Sequence, residues 1–317
     1  MLQFIGTIRL FLAQIDRMDP LLIRIKETAD FLESGGFGGA HTGVVLGTGL
    51  GAFIKELRVD GAIPYEEIPH FPHSTVESHK GQLIIGRIGE KKVAEKKIGE
   101  KKVGEKKVIV LQGRFHYYEG YSMKEITFPV RVLRALGIRA LLLSNAAGGL
   151  NPSYRKGDLV LVDDHINLLP ENPLRGLNDP AFGNRFVDLS SPYDPGLNDT
   201  LVTEARQLGI SLQKGVYVSV MGPNLETRAE YRYLRRIGGD MVGMSTVPEV
   251  IVAGHLGLSC AAVSVITDEC DPDHLKPVRI REIIEVAGKA DAVLSKLLAA
   301  AITAMPAADP RLFAGSS

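Results

Sequence analysis

The feature that most constrains the fold is an alternation. Short apolar runs bounded by turn residues recur along the 317-residue chain: Gly43–Leu46, Leu83–Ile85, Val108–Leu111, Ala140–Leu143, Leu159–Val162, Val216–Val220 and Ala261–Ile266. Longer stretches with helical spacing lie between several of them, at 123–136, 196–208, 225–237 and 279–303. Another, 19–34, precedes the first and carries Leu21, Leu22, Ile25, Ala29 and Leu32 on one stripe. Apolar runs without polar alternation are the mark of strands buried on both faces. Such strands alternating with amphipathic helices predict an α/β layered fold around a largely parallel or mixed sheet. No Pro/Ser-rich linker divides the chain, so residues 18–305 read as one domain. Asp19–Pro20 is a helix start, and residues 1–17 and 306–317 read as tails.

Charge excludes some functions. The chain has 37 basic and 37 acidic residues, so it lacks the global basic field of a nucleic-acid binder. The balance hides an asymmetry. Residues 89–108 read GEKKVAEKKIGEKKVGEKKV, with eight lysines against four glutamates, so this block carries +4 and the remainder −4. Its period is five. Neither a strand nor a helix turns five-residue spacing into a continuous apolar face. The block therefore reads as a solvated loop made by tandem duplication, its last copy turning into the strand Val108–Leu111. Two cysteines, Cys260 and Cys270, are too few for a disulfide scaffold, and a reduced cytoplasmic protein is the expectation. Arg9 and Asp16 interrupt the mildly apolar N-terminus, so neither a signal peptide nor a membrane partner is expected.

Chemistry-bearing residues cluster where predicted strands end. Gly47-Thr48-Gly49-Leu50-Gly51-Ala52 follows the first run and lets backbone N–H groups approach an anion. It also fits a dinucleotide fingerprint, so an NAD-binding reading stays open there. Arg114 and His116, two apart after Val108–Leu111, leave an extended segment on the same side as a phosphate clamp. Ser144–Pro152 puts small residues at the end of a buried strand, where open α/β sheets bind ligands. Glu226 sits beside a turn near a helix start, either as a first-turn acid or as a carboxylate for a ligand. Ser245 and Thr246 bring hydroxyls beside Met244, and Asp268 lies just past a strand end. No spaced set of His and carboxylates completes a metal site, so none is expected.

These segments, in this order, resemble the trimeric class of purine nucleoside phosphorylases over about residues 19–303, with the repeat block as an interruption. The specific motifs are Phe71–Val76, Gln112–Tyr121, Ser144–Pro152, Asp164–Asn167, Asn172–Gly176 and Gly243–Ala253. The resemblance implies a three-layer α/β sandwich with a mixed, partly barrel-like central sheet. It implies reversible phosphorolysis of purine nucleosides to free base and ribose 1-phosphate, with no cofactor and a homotrimeric assembly. Carried over by motif, Thr48, His79, Arg114, His116, Ala146 and Ser245 would bind phosphate. Tyr118, Asn145, Phe182, Leu225, Glu226, Val242, Met244 and Asp268 would meet the nucleoside, Phe182 from a neighbouring subunit. His116, Glu226 and Asp268 would carry the catalytic roles. Two departures matter. Asp268 stands where 6-oxopurine-specific relatives have Asn, which resembles the 5′-methylthioadenosine phosphorylases, whereas Glu226 follows the 6-oxopurine pattern. Near the sugar's 5′ end the family's histidine aligns loosely with Arg281. Inosine and guanosine are the favoured substrates, with adenosine or 5′-methylthioadenosine as alternatives.

Overall fold

The computed structural model describes residues 19–76, 79–89, 105–277 and 279–306. Its helix starts follow local capping chemistry. Asp19 accepts from the Leu21 N–H at 2.8 Å, and Pro20 occupies the first turn of α1 (Pro20–Ser34). Ser122 and Glu125 form a reciprocal capping box ahead of α2 (Met123–Ala135). Asp194 caps α3 (Pro195–Gln207) as Asp19 caps α1. Each cap satisfies an orphan N–H and is worth about 1 kcal/mol. A second reciprocal box, Thr227 with Glu230, starts α4 at Arg228 (Arg228–Arg236), not at 225. Leu225 and Glu226 are thereby left in the loop, free to face a cavity.

The strands are β1 (Thr42–Leu46), β2 (Arg58–Pro64), β3 (Gln82–Ile88), β4 (Lys106–Gln112), β5 (Ala140–Gly149), β6 (Leu159–Asn167), β7 (Leu212–Ser219), β8 (Met241–Gly243) and β9 (Ser259–Glu269). They form one mixed sheet in the order β2-β3-β4-β1-β5-β8-β7-β6-β9, and β9 also pairs with β5. That pairing closes β5, β8, β7, β6 and β9 into a barrel-like ring. Both faces are covered. Val45, Leu141 and Leu143 point into the core shared with α1, α2 and α5 (Val247–His255). Val44, Leu46 and Leu142 point into the core shared with α3 and α6 (Ile280–Ala304). The result is a three-layer α/β sandwich whose central strands β1, β5 and β9 are buried on both sides, as their unbroken apolar runs require.

Three elements escape the sequence patterns for stated reasons. β2 is largely exposed and has no apolar run. β8 has only three residues. α5 is buried from Val247 through Ala253, so it presents no amphipathic stripe.

The repeat block ends differently from the turn its sequence suggests. Residues 90–104, where the solvated loop is expected, lie outside the described residues. The last copy is strand. Lys106 pairs with Ile88 and Lys107 with Arg87 in β4. Glu105 meets Arg58 at 2.9 Å. The Lys106 ammonium donates to the carbonyls of Ile302 (2.7 Å), Thr303 (2.9 Å) and Met305, capping the C-terminal end of α6. Lys107 donates to the Gly38 carbonyl at 2.6 Å.

Among the described residues no helix is long and apolar enough to cross a membrane.

The Ile88–Lys106 pairing generates a prediction. Deleting residues 89–103 leaves Gly104–Glu105 as a two-residue hairpin with glycine first, the arrangement a type II′ turn favours. Differential scanning calorimetry should find Tm within about 4 °C of the parent, a change of about 1 kcal/mol. An insoluble or unfolded deletion would show that the excised copies stabilise the domain.

Candidate active site

β1, β4, β5 and β9 run parallel, so their C-terminal ends gather on one side of the sheet. A cavity of about 310 Å³ opens there. Thr48 follows β1, Arg114 and His116 follow β4, Asn145 and Ala146 lie in the C-terminal half of β5, and Thr267 and Asp268 lie at the end of β9. From the ring's other strands come the loop Pro223–Glu226 after β7 and the segment Val242–Ser245 around the end of β8. Close backbone approach makes this convergence possible. A Cβ on Gly47 would sit 2.7 Å from the Ser144 carbonyl, so only glycine lets the loop after β1 lie against β5.

One end of the cavity is built for an anion. Arg114 is only 3% exposed. Its Nη1 donates to the Ser144 carbonyl at 2.8 Å and to Ser245 Oγ at 3.2 Å, and its Nε lies 3.3 Å from Glu249 Oε2. Its Nη2 is buried with no hydrogen-bond partner. An unpaired buried guanidinium donor costs free energy until an acceptor arrives. Ser245 leads into α5, whose N-terminus adds partial positive charge. Thr246, between them, holds φ +69°. A β-branched residue in the left-handed region is strained, and the surrounding bonds hold it there. Asn145 Nδ2 donates to Thr246 Oγ1 at 2.9 Å, and the Ser245 N–H donates to the Tyr217 hydroxyl at 3.3 Å. Asn145 Oδ1 is buried and unpartnered.

The two histidines stack. His79 lies on His116 with centroids 5.4 Å apart, and His116 on Tyr118 at 4.7 Å. His116 Nδ1 is 2.7 Å from Glu119 Oε1, which also accepts the His116 backbone N–H. That orients the ring and leaves its Nε2 edge for the cavity. Thr75 donates its N–H and its hydroxyl to the other Glu119 oxygen. Burial alone would raise Glu119, but these donors hold its carboxyl below the usual range. His79 Nε2 is 3.2 Å from Thr48 Oγ1, and Nδ1 is 3.1 Å from the Arg114 carbonyl. Burial, with His116 and Arg114 nearby, lowers His79 to about 3. His79 does not line the main cavity; it sits behind Thr48 and acts through it.

The opposite end is acidic. Burial pushes the Glu226 carboxyl up; the Tyr231 hydroxyl donates to it, and the nearby Asp268 raises it further. Asp268 is 7% exposed and accepts from Thr267 Oγ1 at 2.9 Å and from Cys270 Sγ at 3.2 Å. Tyr118, Val242, Met244 and Leu225 line the space between the two ends, and Ile280 and Ile283 of α6 add apolar wall.

Thirteen of the sequence-derived candidates come together in this way, His79 behind Thr48 and the rest on the cavity. Phe182 does not join them. It is 6% exposed within its own chain, its ring 5.7 Å from the Arg131 guanidinium. Arg281 is exposed while its neighbours Ile280 and Ile283 face the cavity. The dinucleotide reading fails at its context. The loop after β1 opens into a five-residue 3-10 turn, Ala52–Glu56, and not the long helix that would cradle a pyrophosphate.

Sequence reasoning passed over Glu119, Glu249, Thr267, Tyr231 and Cys270. The i, i+3 spacing of His116 and Glu119 is a legible signal. Glu249 meets Arg114 only through the fold, from 135 residues away. Among the described residues no group of three or more His, Cys, Asp or Glu side chains is placed to hold a metal ion.

The chain is similar to known proteins over most of its length. A model of the phosphorylase superfamily matches residues 41–303. Purine nucleoside phosphorylase 1 of Bacillus subtilis is 44% identical over 279 residues, 88% of this chain and 97% of that protein. A Schistosoma purine nucleoside phosphorylase solved in complex with hypoxanthine superposes with a TM-score of 0.78 at 36% identity, covering 89% of this chain and 97% of that one. Isoform 2 of the Schistosoma mansoni enzyme, solved with cytosine and ribose-1-phosphate, superposes at 0.80 with 36% identity, covering 89% and 96%.

Two outcomes follow from the anion end. Arg114→Gln is expected to weaken inorganic phosphate binding by roughly 10- to 100-fold in calorimetry, the value of a charge-assisted bond. Unchanged affinity would mean that the orphan donor faces no anion. The His79 ring should show no NMR titration between pH 8 and 5, because its folded value is about 3. With the unfolded value higher, protons bind the unfolded chain first, so stability falls as pH drops from 6.5 toward 3.

Proposed function

The chain belongs to the phosphorylase superfamily, and from that membership and the chemistry of its cavity we propose that it cleaves purine nucleosides with inorganic phosphate. The observation that carries the reading is one cavity with a buried arginine, its Nη2 met by no protein acceptor, at one end and two carboxylates at the other. Phosphate needs a fork of donors and the N1–H of a 6-oxopurine needs an acceptor, and 310 Å³ is room for both joined through a sugar.

In the proposed reaction Arg114, His116, Ser245, Thr48 and the backbone at Ala146 hold phosphate below C1′ of the sugar. A phosphate oxygen forms the new bond to C1′ while the C1′–N9 bond breaks. Its electron pair passes to the purine, which takes at N7, by way of water, the proton that the phosphate gives up on becoming an ester. Products are the free base and ribose or deoxyribose 1-phosphate. Positioning of phosphate and stabilisation of the charge leaving on the base supply the acceleration. His79 holds the Thr48 hydroxyl. Glu226, ionised, accepts from N1–H of a 6-oxopurine, and Asp268 faces N7 and the 6-position. Tyr118, Met244 and Val242 pack the sugar and Leu225 the base. The proposed reaction asks for no metal or redox group. A homotrimer in the cytoplasm, with Phe182 reaching a neighbouring site, completes the reading. In that assembly Phe182 would leave the packing it has in the single chain.

Inosine and guanosine are the favoured substrates, because a buried glutamate without its N–H donor is costly. One observation favours 5′-methylthioadenosine as a second reading. The start of α6, which meets the sugar's 5′ end in the family pattern, turns Ile280 and Ile283 to the cavity and Arg281 away. An apolar wall suits a methylthio group better than a hydroxyl.

Assays of base release from inosine, guanosine, adenosine and 5′-methylthioadenosine, with and without phosphate, test the reading. Phosphate-dependent release from inosine and guanosine is the expected result, and no release from any of the four contradicts it. Glu226→Ala should lower kcat/KM for inosine roughly 10- to 100-fold; an unchanged value removes its role in base recognition.

A further inference from the structure

The proposed reaction leaves the Cys270 thiol unused, although it reaches the base end of the cavity. We infer that Cys270 is a positioning residue: its thiol holds Asp268 as a hydrogen-bond acceptor toward the purine, which gives the cavity affinity for 6-amino bases beside 6-oxo bases. The inference rests on the base lying against Glu226 and Asp268.

Both oxygens of the Asp268 carboxylate are engaged from the protein side. Oδ1 takes the Thr267 hydroxyl at 2.9 Å and Oδ2 the Cys270 thiol at 3.2 Å. The thiol stays a donor because burial, then the Asp268 charge, pushes its deprotonation far above the usual range. A carboxylate that accepts from both sides keeps its remaining lone pairs for the cavity and has only acceptors to offer there. A 6-amino group and a protonated N7 both satisfy it. A 6-oxo group meets it acceptor against acceptor. Glu226 pulls the other way through N1–H, so the two carboxylates together make the cavity tolerant of both purine classes. Without the thiol, Oδ2 loses its donor, and the Asp268 carboxylate is freer to turn away from the base.

The seat of the thiol is built. A Cβ on Gly148 would lie 2.5 Å from Cys270 Sγ and 3.2 Å from Asp268 Oδ2, so glycine there admits both side chains. The Cys270 backbone is pinned on two sides: its N–H donates to the Gly149 carbonyl at 2.9 Å, and its carbonyl accepts from Arg235 Nη2 at 3.0 Å. Substitutions at 270 therefore change the side chain in a fixed backbone frame.

The test compares Cys270→Ser, which keeps a donor, with Cys270→Val, which keeps bulk and removes it, and with Cys270→Ala. Calorimetry with adenine and with hypoxanthine, in phosphate buffer, gives the affinity ratio for each variant, with inosine phosphorolysis assayed beside it. The wild type should bind both bases. The Ser variant should keep the adenine-to-hypoxanthine ratio, and the Val and Ala variants should lose roughly five- to tenfold of it. A wild type without adenine affinity, a ratio that Val preserves, or one that Ser fails to preserve would overturn the inference. Should Ala not fold, the Ser and Val pair decides alone. A wild type that binds the bases yet releases none from inosine would overturn the proposed reaction and leave the role of the thiol standing. An active wild type whose ratio ignores residue 270 would do the reverse.

Discussion

The buried charge of Arg114 is the constraint around which the rest of the site is arranged. A guanidinium removed from water is expensive unless its donors are met. Here Ser144, Ser245 and Glu249 meet part of the demand, from β5, from the segment after β8 and from α5. Each comes from a different element, so the arginine ties two parts of the sheet to the helix α5 packed on it. Gly47 allows the loop after β1 to approach that point, and Thr246 is held at a strained φ beside it. No protein acceptor meets the remaining Nη2, which makes it the natural seat for an anion.

The base end follows the opposite logic, and its two carboxylates are treated differently. Glu226 is met by its own backbone N–H and by Tyr231, sits in a loop and is pushed up by burial and by its neighbour. Asp268 has donors on both oxygens and closes a buried strand. Two acids with unlike support are a means of recognising an edge that carries both donors and acceptors. The position of Glu226 traces back to a local event. The Thr227–Glu230 capping box starts α4 three residues later than the amphipathic pattern at 225 suggests, and so keeps Glu226 out of the helix.

Much of this was legible in the residues. Unbroken apolar runs reported strands buried on both faces, and the Asp19–Pro20 pair reported a helix start, because both signals are local. Family motifs brought together the anion end and the base end before any geometry was available. What stayed hidden was non-local or lacked periodicity. The closure of five strands into a ring was implied by resemblance alone, since the β5–β9 pairing joins segments more than a hundred residues apart. α5 was invisible because a helix buried all round shows no stripe. Glu249 lies inside a family motif and Cys270 in none, but both acquire their roles only from Arg114 and Asp268 beside them. The last EKKV copy looked like a turn by composition, yet tertiary partners for Glu105, Lys106 and Lys107 make it strand.

The central claim is that one cavity takes phosphate at its arginine end and a purine at its carboxylate end. A crystal structure of the protein grown with phosphate and hypoxanthine tests it most directly. The account predicts phosphate on Arg114 Nη2, His116 Nε2 and Ser245 Oγ, with the base's N1 and N7 edges turned to Glu226 and Asp268. Phosphate bound away from Arg114, or a base whose edge faces neither carboxylate, would contradict it.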